Sequence, residues 1–232
     1  MAGLRIFGDA DTATTAPKRR TDDVVGRFRS GYVANNMPVA LSDWRVTTGD
    51  PEVAERVAEL LNGDEPQTWD ATGEDNLEVF TKSTSVEVIL DGPRALRQAM
   101  VLYGRKGILR VSDGETITYP EEDKGKPDPQ AGQSLQERKD AARAGTGAEP
   151  RIELFFRLAD APDLGVFKFQ SGSWSLARDL AYFGTEDELA DYDGPVRATL
   201  ALEPVSFVAK SGPRAGQNVS YTKPVIKILG DA

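Results

Sequence analysis

The stretch GVFKFQSGSWSLARDL, Gly165 to Leu180, predicts a strand that turns into a helix. In its first half Phe167 and Phe169 alternate with Lys168, which is the pattern of a strand with one buried face. Ser173 is a typical N-cap, because its hydroxyl can accept a hydrogen bond from a free amide of the first helical turn. The helix that follows has an apolar side made of Trp174, Leu176, Ala177 and Leu180.

The same serine-rich turn raises the question of catalysis, because several hydrolases place a nucleophile between a strand and a helix. The nucleophile elbow needs a glycine two residues on either side of the serine, and QSGSWS lacks that pattern. The chain has no histidine to act as the base of a serine relay and no cysteine for a thiol nucleophile, a disulfide or a thiolate-bound metal. An anion held at the helix N-terminus stays open. The turn is interpreted as structural, and no catalytic, cofactor-binding or metal-binding residue is predicted.

Charge excludes one common class of function. The 28 Lys and Arg residues against 37 Asp and Glu residues give a net charge of −9. Phosphate groups repel a chain this acidic unless its basic side chains gather on one face, so an autonomous duplex-DNA binder is not expected. The start MAGLRIFGDADTATT lacks the apolar run of a signal peptide, and no stretch reaches membrane-spanning length. Together with the absence of cysteine, these features predict a soluble, cytoplasmic protein.

The N-terminal half predicts a tail, two strands and one helix. Residues 1–20 are small, polar and unpatterned, which is typical of a flexible tail. VVGRFRSG and PVALSDWRVTT have the composition of strands. In GDPEVAERVAELLNGDEP, Asp50 suits the N-cap, Pro51 suits the first helical position, and Asn62 with Gly63 suits a left-handed stop. The predicted apolar face of this helix consists of Val53, Val57, Leu60 and Leu61.

Strand patterns dominate the rest of the chain. NLEVFTKSTSVEVIL, RQAMVLYGRKGILRVSDGETITY and RIELFFRLAD are typical of strands joined by tight turns, and RATLALEPVSFVAKS with NVSYTKPVIKIL predicts a closing hairpin. Pro204 and Pro224 place the hairpin strands at an edge or a bulge. Thr185 with Glu188 predicts the capping box of a further short helix.

One long segment interrupts these strands. Residues from about 120 to 150 have Leu135 as their only large apolar side chain, so the segment is predicted to be a mobile polar insertion. Within it, Ser134 and Glu137 predict the capping box of a short helix. The predicted organisation is a tail at 1–20 and a single α+β domain at 21–232. That domain is expected to be a mainly antiparallel sheet or partly closed barrel, with one N-terminal amphipathic helix and a short helix cluster.

Basic residues concentrate in GRFRSG and in the PKRR sequence before it, where five basic side chains oppose two acidic ones between residues 18 and 29. Solvated charges on a tail and a strand would explain this cluster, and so would contact with nucleic acid or with an acidic partner helix. Trp44, Trp69 and Trp174 are interpreted as core residues rather than base-stacking platforms. The predicted partner-binding residues are Arg27, Phe28, Arg29, Tyr32, Trp174 and Arg178.

The order of segments carries a resemblance to a known family. GRFRSG, PVALSDWRVTTGDPEVAERVAELL, DNLEVFT, LADAPDLGVFKFQSGSWSLARD and YTKPVIKI together resemble the recombination directionality factors of actinobacterial temperate phages. More narrowly, the chain is similar to the type that partners the large serine integrases of Streptomyces phages. The likeness extends from about Leu4 to Ile228, although none of its motifs is chemically diagnostic alone.

The resemblance implies a switch that is not an enzyme and needs no cofactor. A factor of this family binds the coiled-coil and zinc-bearing C-terminal region of the integrase. The factor itself has little affinity for DNA. It activates excisive attL × attR recombination and inhibits attP × attB integration, while the integrase performs all strand cleavage. Relatives can carry cysteines in the region matching residues 120–150; this chain has none, which argues against a metal knuckle there.

Two other functions stay open at this stage. A single-strand nucleic-acid-binding or replication accessory protein would use a curved sheet with exposed aromatic side chains, although the charge of −9 disfavours the basic groove it needs. A phosphoesterase that holds a metal by carboxylates is the third class, since Asp and Glu are plentiful. DYDGP and LADAPDLG resemble fragments of metal loops, but they lack a full ligand set.

Overall fold

The computed structural model describes residues 24–34, 37–71, 73, 75–210 and 215–232. The predicted tail at 1–20, with its PKRR sequence, lies outside them. In chain order the elements are β1 (Gly26–Ala34), β2 (Met37–Thr48), α1 (Pro51–Leu60), β3 (Gln67–Thr68), β4 (Leu77–Phe80), β5 (Ser85–Leu90), β6 (Leu96–Gly104), β7 (Gly107–Ser112), β8 (Ile117–Tyr119), α2 (Leu135–Arg143), β9 (Glu149–Leu158), β10 (Phe167–Ser171), α3 (Trp174–Phe183), α4 (Thr185–Ala190), β11 (Val196–Val208) and β12 (Asn218–Asp231).

The described residues divide into two compact units. The first, named the aromatic unit, contains residues 24–90, Phe155–Phe169 and Pro195–Ala232. The second, named the meander unit, contains Asp91–Leu154 and Gln170–Gly194. Strands β9 and β10 each contribute residues to both units. The single domain expected at 21–232 stays a prediction.

A cluster of buried aromatic rings forms the centre of the aromatic unit. The ring centroid of Phe28 lies 5.7 Å from that of Trp44, 5.2 Å from Phe156 and 5.6 Å from Phe167, and Trp44 packs on Phe169 at 5.3 Å. All five side chains are at most 2% exposed. Such edge-to-face pairs add about 0.5–1.5 kcal/mol each beyond the burial of their area. The cluster therefore joins β1, β2, β9 and β10, although these strands are far apart in the sequence.

One parallel pair sets β1 beside β10, with Gly26 opposite Phe167 and Phe28 opposite Phe169. A Cβ atom at Gly26 would lie 3.0 Å from the Phe167 ring and 3.1 Å from the carbonyl oxygen of Thr47, so this close approach requires glycine. The strand order is β12-β11-β5-β9-β10-β1-β2-β4-β3, and the register of β1–β2, β2–β4, β3–β4, β5–β9, β5–β11 and β11–β12 is antiparallel. The α+β prediction is confirmed, with a mixed sheet that is not closed into a barrel.

Strand β10 is buried on both faces. Lys168, which the alternation places on an exposed face, is buried, and its ammonium lies 5.1 Å from the ring centroid of Phe155. A cation over an aromatic face is attracted by the ring's quadrupole, which offsets part of the cost of burial. The exposed position predicted for Lys168 is therefore wrong, because the face of β10 that carries Lys168 is covered as well as the face that carries Phe167 and Phe169.

Helix α1 begins and ends as predicted. The Asp50 carboxylate accepts a hydrogen bond from the amide of Glu52 at 2.9 Å, and Pro51 occupies the first helical position. Asn62 has a left-handed φ of 49°, and the amide of Gly63 donates back into the last turn of the helix. The residues of α1 and its C-cap that are buried are Val53, Ala54, Val57 and Leu61.

The pairing of the closing hairpin explains why β11 and β12 can each contain a proline. β11 pairs with β12 along both strands, but it pairs with β5 only from Val196 to Ala201. Pro204 therefore lies where β12 is the one hydrogen-bonded neighbour of β11 within the described ranges. Pro224 lies in β12, at the end of the strand order. Both prolines thus occupy edge positions, as predicted.

The meander unit is built on β6, β7 and β8, which pair antiparallel in sequence order, and β6 also pairs with the first half of β9. The serine turn starts α3 as predicted, because the Ser173 hydroxyl accepts a hydrogen bond from the amide of Leu176 at 3.1 Å. Gly184, with a left-handed φ of 62°, ends α3 and is also the N-cap of α4. The capping box predicted at Thr185 is therefore wrong: Thr185 is the buried first residue of α4.

Buried polar side chains hold the 120–150 insertion against β7. The Asp128 carboxylate accepts hydrogen bonds from the hydroxyl of Ser112 and from the amide of Gln130, and it forms an ion pair with Arg110 at 3.3 Å. The side-chain oxygen of Gln130 in turn accepts from Arg110 at 3.1 Å and from the amide of Ala148 at 2.8 Å. These hydrogen bonds and the ion pair anchor a segment with almost no apolar side chains, although the Nε of Arg110 is buried without a partner among the described residues.

Helix α2 adds a second anchor to the insertion. It begins with the predicted capping box, in which Ser134 and Glu137 exchange hydrogen bonds. Its Arg138 is buried and donates to the carbonyl oxygen of Gly114 at 2.8 Å, in the turn between β7 and β8. Burial lowers the pKa of Arg138. The mobility predicted for residues 120–150 stays a prediction, but these contacts tie the segment to the meander.

We expect Asp128→Ala to lower the free energy of unfolding by about 3 kcal/mol, because the substitution leaves Arg110 and Ser112 without their buried partner. Asp123→Ala is the matched control, since the Asp123 side chain forms an exposed ion pair with Lys126, and the loss of this pair should cost less than about 1 kcal/mol. Urea denaturation measures both values. Equal losses for the two variants would contradict the anchoring role of Asp128.

Glu186 and Gln98 form a part-buried pair in the meander unit in which two oxygen atoms lack a hydrogen-bond donor. The amide of Gln98 donates to one carboxylate oxygen of Glu186 at 2.9 Å. The other Glu186 oxygen and the Gln98 side-chain oxygen are buried without a hydrogen-bond partner among the described residues. Burial raises the pKa of Glu186, since it penalises the charged carboxylate. A proton on Glu186 would supply the missing donor.

We expect Glu186→Gln to raise the free energy of unfolding at pH 7 by about 1 kcal/mol, because the amide keeps the acceptor and removes a buried charge. In the wild type the folded state holds this proton more tightly than the unfolded chain, so stability should fall as pH rises above about 4.5. Glu186→Gln should remove that part of the pH dependence. Glu188→Gln, in an exposed position of the same helix, should instead lower stability slightly, because it removes negative charge near the N-terminus of α4.

Candidate functional site

Three arginines and three aromatic side chains gather on one face of the aromatic unit. Cross-strand register places Arg29 of β1 opposite Arg45 of β2, and Arg45 opposite Phe80 of β4. Residues two positions apart in a strand share a face, so Arg27 lies on the same side. This surface is named the arginine–aromatic face, and it consists of Arg27, Arg29, Tyr32, Arg45, Trp69 and Phe80.

Arg45 is the centre of the arginine–aromatic face. Its guanidinium forms a buried ion pair with Glu78, which also accepts from the amide of Gln67 at 3.3 Å. The same guanidinium lies 4.5 Å from the ring centroid of Trp69 and 5.7 Å from that of Phe80. Arg45 is therefore held on one side by a carboxylate and covered by aromatic rings, and these contacts fix its charge in place.

Arg29 stands directly beside this group. Its Nε donates to the hydroxyl of Thr47 at 3.0 Å, and its guanidinium lies 5.7 Å from the Trp69 ring. Burial lowers the pKa of Arg29, and the positive charges of Arg45 and Arg27 lower it further. Two guanidinium groups on neighbouring strands raise the positive potential of this part of the sheet. A negatively charged group of a partner would reduce the repulsion between them.

The accessible rim consists of Arg27, Tyr32 and Trp69. Arg27 donates to the Asp75 carboxylate at 3.0 Å and keeps 33% of its side chain exposed. Tyr32 packs edge-on against Phe80 with its ring partly in solvent, and the Trp69 indole donates to the carbonyl oxygen of Asp75 at 2.7 Å. Arg, Trp and Tyr are the residue types that most often dominate the binding energy of protein interfaces. This face is thus suited to contact a protein surface with negative charge.

The structure brings three predicted residues together here, namely Arg27, Arg29 and Tyr32. Phe28 does not join them, because its ring is buried in the aromatic core on the other side of β1. The contact role predicted for it stays a prediction. Arg45, Trp69 and Phe80 were missed. Strand alternation in β2 and β4 is the sequence signal for Arg45 and Phe80, but it does not reveal which strands are neighbours; Trp69 follows β3 and has no such signal.

The other two predicted residues lie in the meander unit, where a second basic surface forms between α2 and α3. The ammonium of Lys139 lies 5.9 Å from the ring centroid of Trp174. Burial lowers the pKa of Lys139, and the charges of Arg178 and Arg143 add to the effect, so these basic groups are close to one another. Arg178 also pairs with Asp179 at 2.9 Å.

The three tryptophans differ in their environments. Trp44 is a core residue, as predicted, whereas Trp69 and Trp174 are only partly buried and each lies against a cation. Within the described ranges no group of three or more Asp or Glu side chains is arranged to hold a metal ion, and no helix is long and apolar enough to cross a membrane.

Residues 25–223 match the family model described as Gp3-like, recombination directionality factor-like. The match covers most of the chain and includes the whole arginine–aromatic face. The chain belongs to this family. The resemblance to recombination directionality factors is thereby confirmed, and the family points to a recombinase as the partner. No solved structure matches this recombination directionality factor-like protein.

We expect Arg45→Ala to lower the free energy of unfolding of this family member by about 3 kcal/mol, because it leaves the Glu78 carboxylate buried without its cation. Arg27→Ala is the matched control on the same face; its ion pair with Asp75 is partly exposed, and its loss should cost less than about 1 kcal/mol. Chemical denaturation of both variants checks the difference. A stable Arg45→Ala variant would show that Arg45 is not needed to hold the face together.

Proposed function

We propose that this protein is a recombination directionality factor that binds a large serine integrase of the type found in Streptomyces temperate phages. By binding, it activates attL × attR excision and inhibits attP × attB integration. The observation that carries this proposal is the family match over residues 25–223. The integrase performs every step of bond breakage, and the factor is not an enzyme, in keeping with a sequence that has neither histidine nor cysteine.

Such a factor acts by preferring one arrangement of its partner over another. A ligand shifts an equilibrium only by the difference between its affinities for the two states. Moving a population from 1:99 to 99:1 requires about 5.5 kcal/mol of preference. Coupling of this kind is reciprocal, so integrase bound to attL and attR should bind the factor more tightly than integrase bound to attP or attB.

The side chains best suited to supply this preference are the accessible rim residues of the arginine–aromatic face. Arg27, Tyr32 and Trp69 offer a cation and two amphipathic rings that are already positioned, so little side-chain entropy is lost when a partner binds. Trp174 and Arg178 of the meander unit stay in the proposal as further contacts. We infer that the partner region is the coiled-coil and zinc-bearing C-terminal part of the integrase, and that binding takes place in the cytoplasm of the lysogenic or infected bacterium.

The charge of the chain supports a protein partner. With a net charge of −9, it meets duplex DNA with overall repulsion, and its basic side chains within the described residues are mostly paired or stacked on rings. For a chain with this charge, binding to the DNA-bound integrase is more favourable in free energy than binding to DNA phosphate groups.

The decisive experiment is an in vitro recombination reaction with the integrase encoded by the same prophage. We expect attL × attR substrates to recombine only when this protein is added, and attP × attB recombination to fall as its concentration rises. An electrophoretic mobility shift with this protein alone is the control. Strong, salt-sensitive binding to single-stranded DNA, without any effect on either reaction, would favour a nucleic-acid-binding accessory protein instead.

A further inference from the structure

Two neighbouring aromatic side chains project into solvent at the C-terminal end of α3. Tyr182 is 82% exposed and Phe183 is 69% exposed, and their rings meet edge-on with centroids 5.1 Å apart. An aromatic side chain can bury about 150–250 Å² in an interface. This pair therefore exposes a large apolar area that a partner could cover. Other exposed apolar side chains of the meander unit, such as Tyr103 and Leu109, are less exposed.

The chain that follows Arg178, which lies one helical turn before Tyr182, is strongly acidic. From Asp179 to Pro195 it has six acidic residues and no basic one. Asp187, Glu188 and Asp191 are exposed and form no ion pair within the part of the chain that the structure describes. Because Gly184 alone separates α3 from α4, the first turn of α4 begins within about 15 Å of the aromatic pair. Tyr182, Phe183, Asp187, Glu188 and Asp191 are named the α3–α4 surface.

We propose that the α3–α4 surface docks an apolar segment of the integrase that is bordered by lysine and arginine side chains. This inference rests on the proposed function and adds a second contact, of opposite charge to the arginine–aromatic face. The aromatic pair would enter an apolar patch of the partner, while the carboxylates would meet its basic border. The carboxylates would also speed association by long-range attraction.

Charge separates this occupant from the others. Nucleic acid and anionic lipid headgroups would be repelled by the same carboxylates that favour a basic protein. A two-fold contact between two copies of the α3–α4 surface would set like charges against each other. A protein segment with apolar and basic side chains is the occupant that could cover the aromatic pair and also form ion pairs with the carboxylates.

The test compares two double variants that each remove two exposed apolar side chains from the meander unit. Tyr182→Ser with Phe183→Ser should weaken binding to integrase on attL and attR DNA by at least about tenfold, because aromatic anchors often dominate interface energy. Tyr103→Ser with Leu109→Ser is the matched control and should bind like the wild type. Thermal unfolding of both variants confirms that they fold, which is expected because all four side chains are exposed.

A charge variant gives an independent readout. Asp187→Asn with Glu188→Gln and Asp191→Asn should reduce the dependence of the affinity on salt concentration, because fewer charges face the partner. If the wild type binds integrase and the serine double variant binds equally well, the α3–α4 surface is not a docking site, while the proposed function stands. If the wild type does not bind integrase at all, both fall. A concentration-dependent dimer that Tyr182→Ser with Phe183→Ser abolishes would assign the surface to a second copy and overturn the inference.

Discussion

The contacts of Phe28 are the constraint on which the aromatic unit depends. One buried ring touches side chains from β2, β9 and β10, so a single residue of β1 ties three other strands together. With Phe28 fixed toward the core, strand alternation turns Arg27 and Arg29 to the opposite face. The exposed chemistry of this unit is therefore a consequence of its packing: the same strand that completes the core presents the arginines.

Most local features could be predicted from the sequence, because they depend on residues close together in the chain; the capping box at Thr185 was an exception, since Gly184 is the N-cap of α4. The caps at Asp50, Ser134 and Ser173 all form as expected, and so do the strands around them. The pairing of Arg29 with Arg45 could not be predicted, since register depends on which distant strands meet. The anchoring of residues 120–150 was missed for another reason. It depends on buried polar contacts of Asp128, and a hydropathy pattern does not distinguish a buried polar residue from an exposed one.

Each of the two units carries an exposed surface with a charge of its own. Arg29 and Arg45 lie on neighbouring strands of the aromatic unit, whereas Asp187, Glu188 and Asp191 of the meander unit form no ion pair within the described residues. A net value of −9 hides this arrangement, because it adds together surfaces of opposite sign. A partner surface that fits the basic group would be repelled by the acidic one, so the two surfaces select for different partner charges.

The polar anchor around Asp128 also limits how this chain can change during evolution. Its carboxylate contacts the Ser112 hydroxyl and the Arg110 guanidinium in a buried position, so replacing any one of these residues removes a hydrogen bond or an ion pair from another of them. Lineages that lose one of these residues should lose the others with it, and an apolar set should appear in their place. The exposed residues of the same segment can be substituted without this cost. The exposed positions should therefore diverge rapidly, while Asp128 and its buried partners should change together.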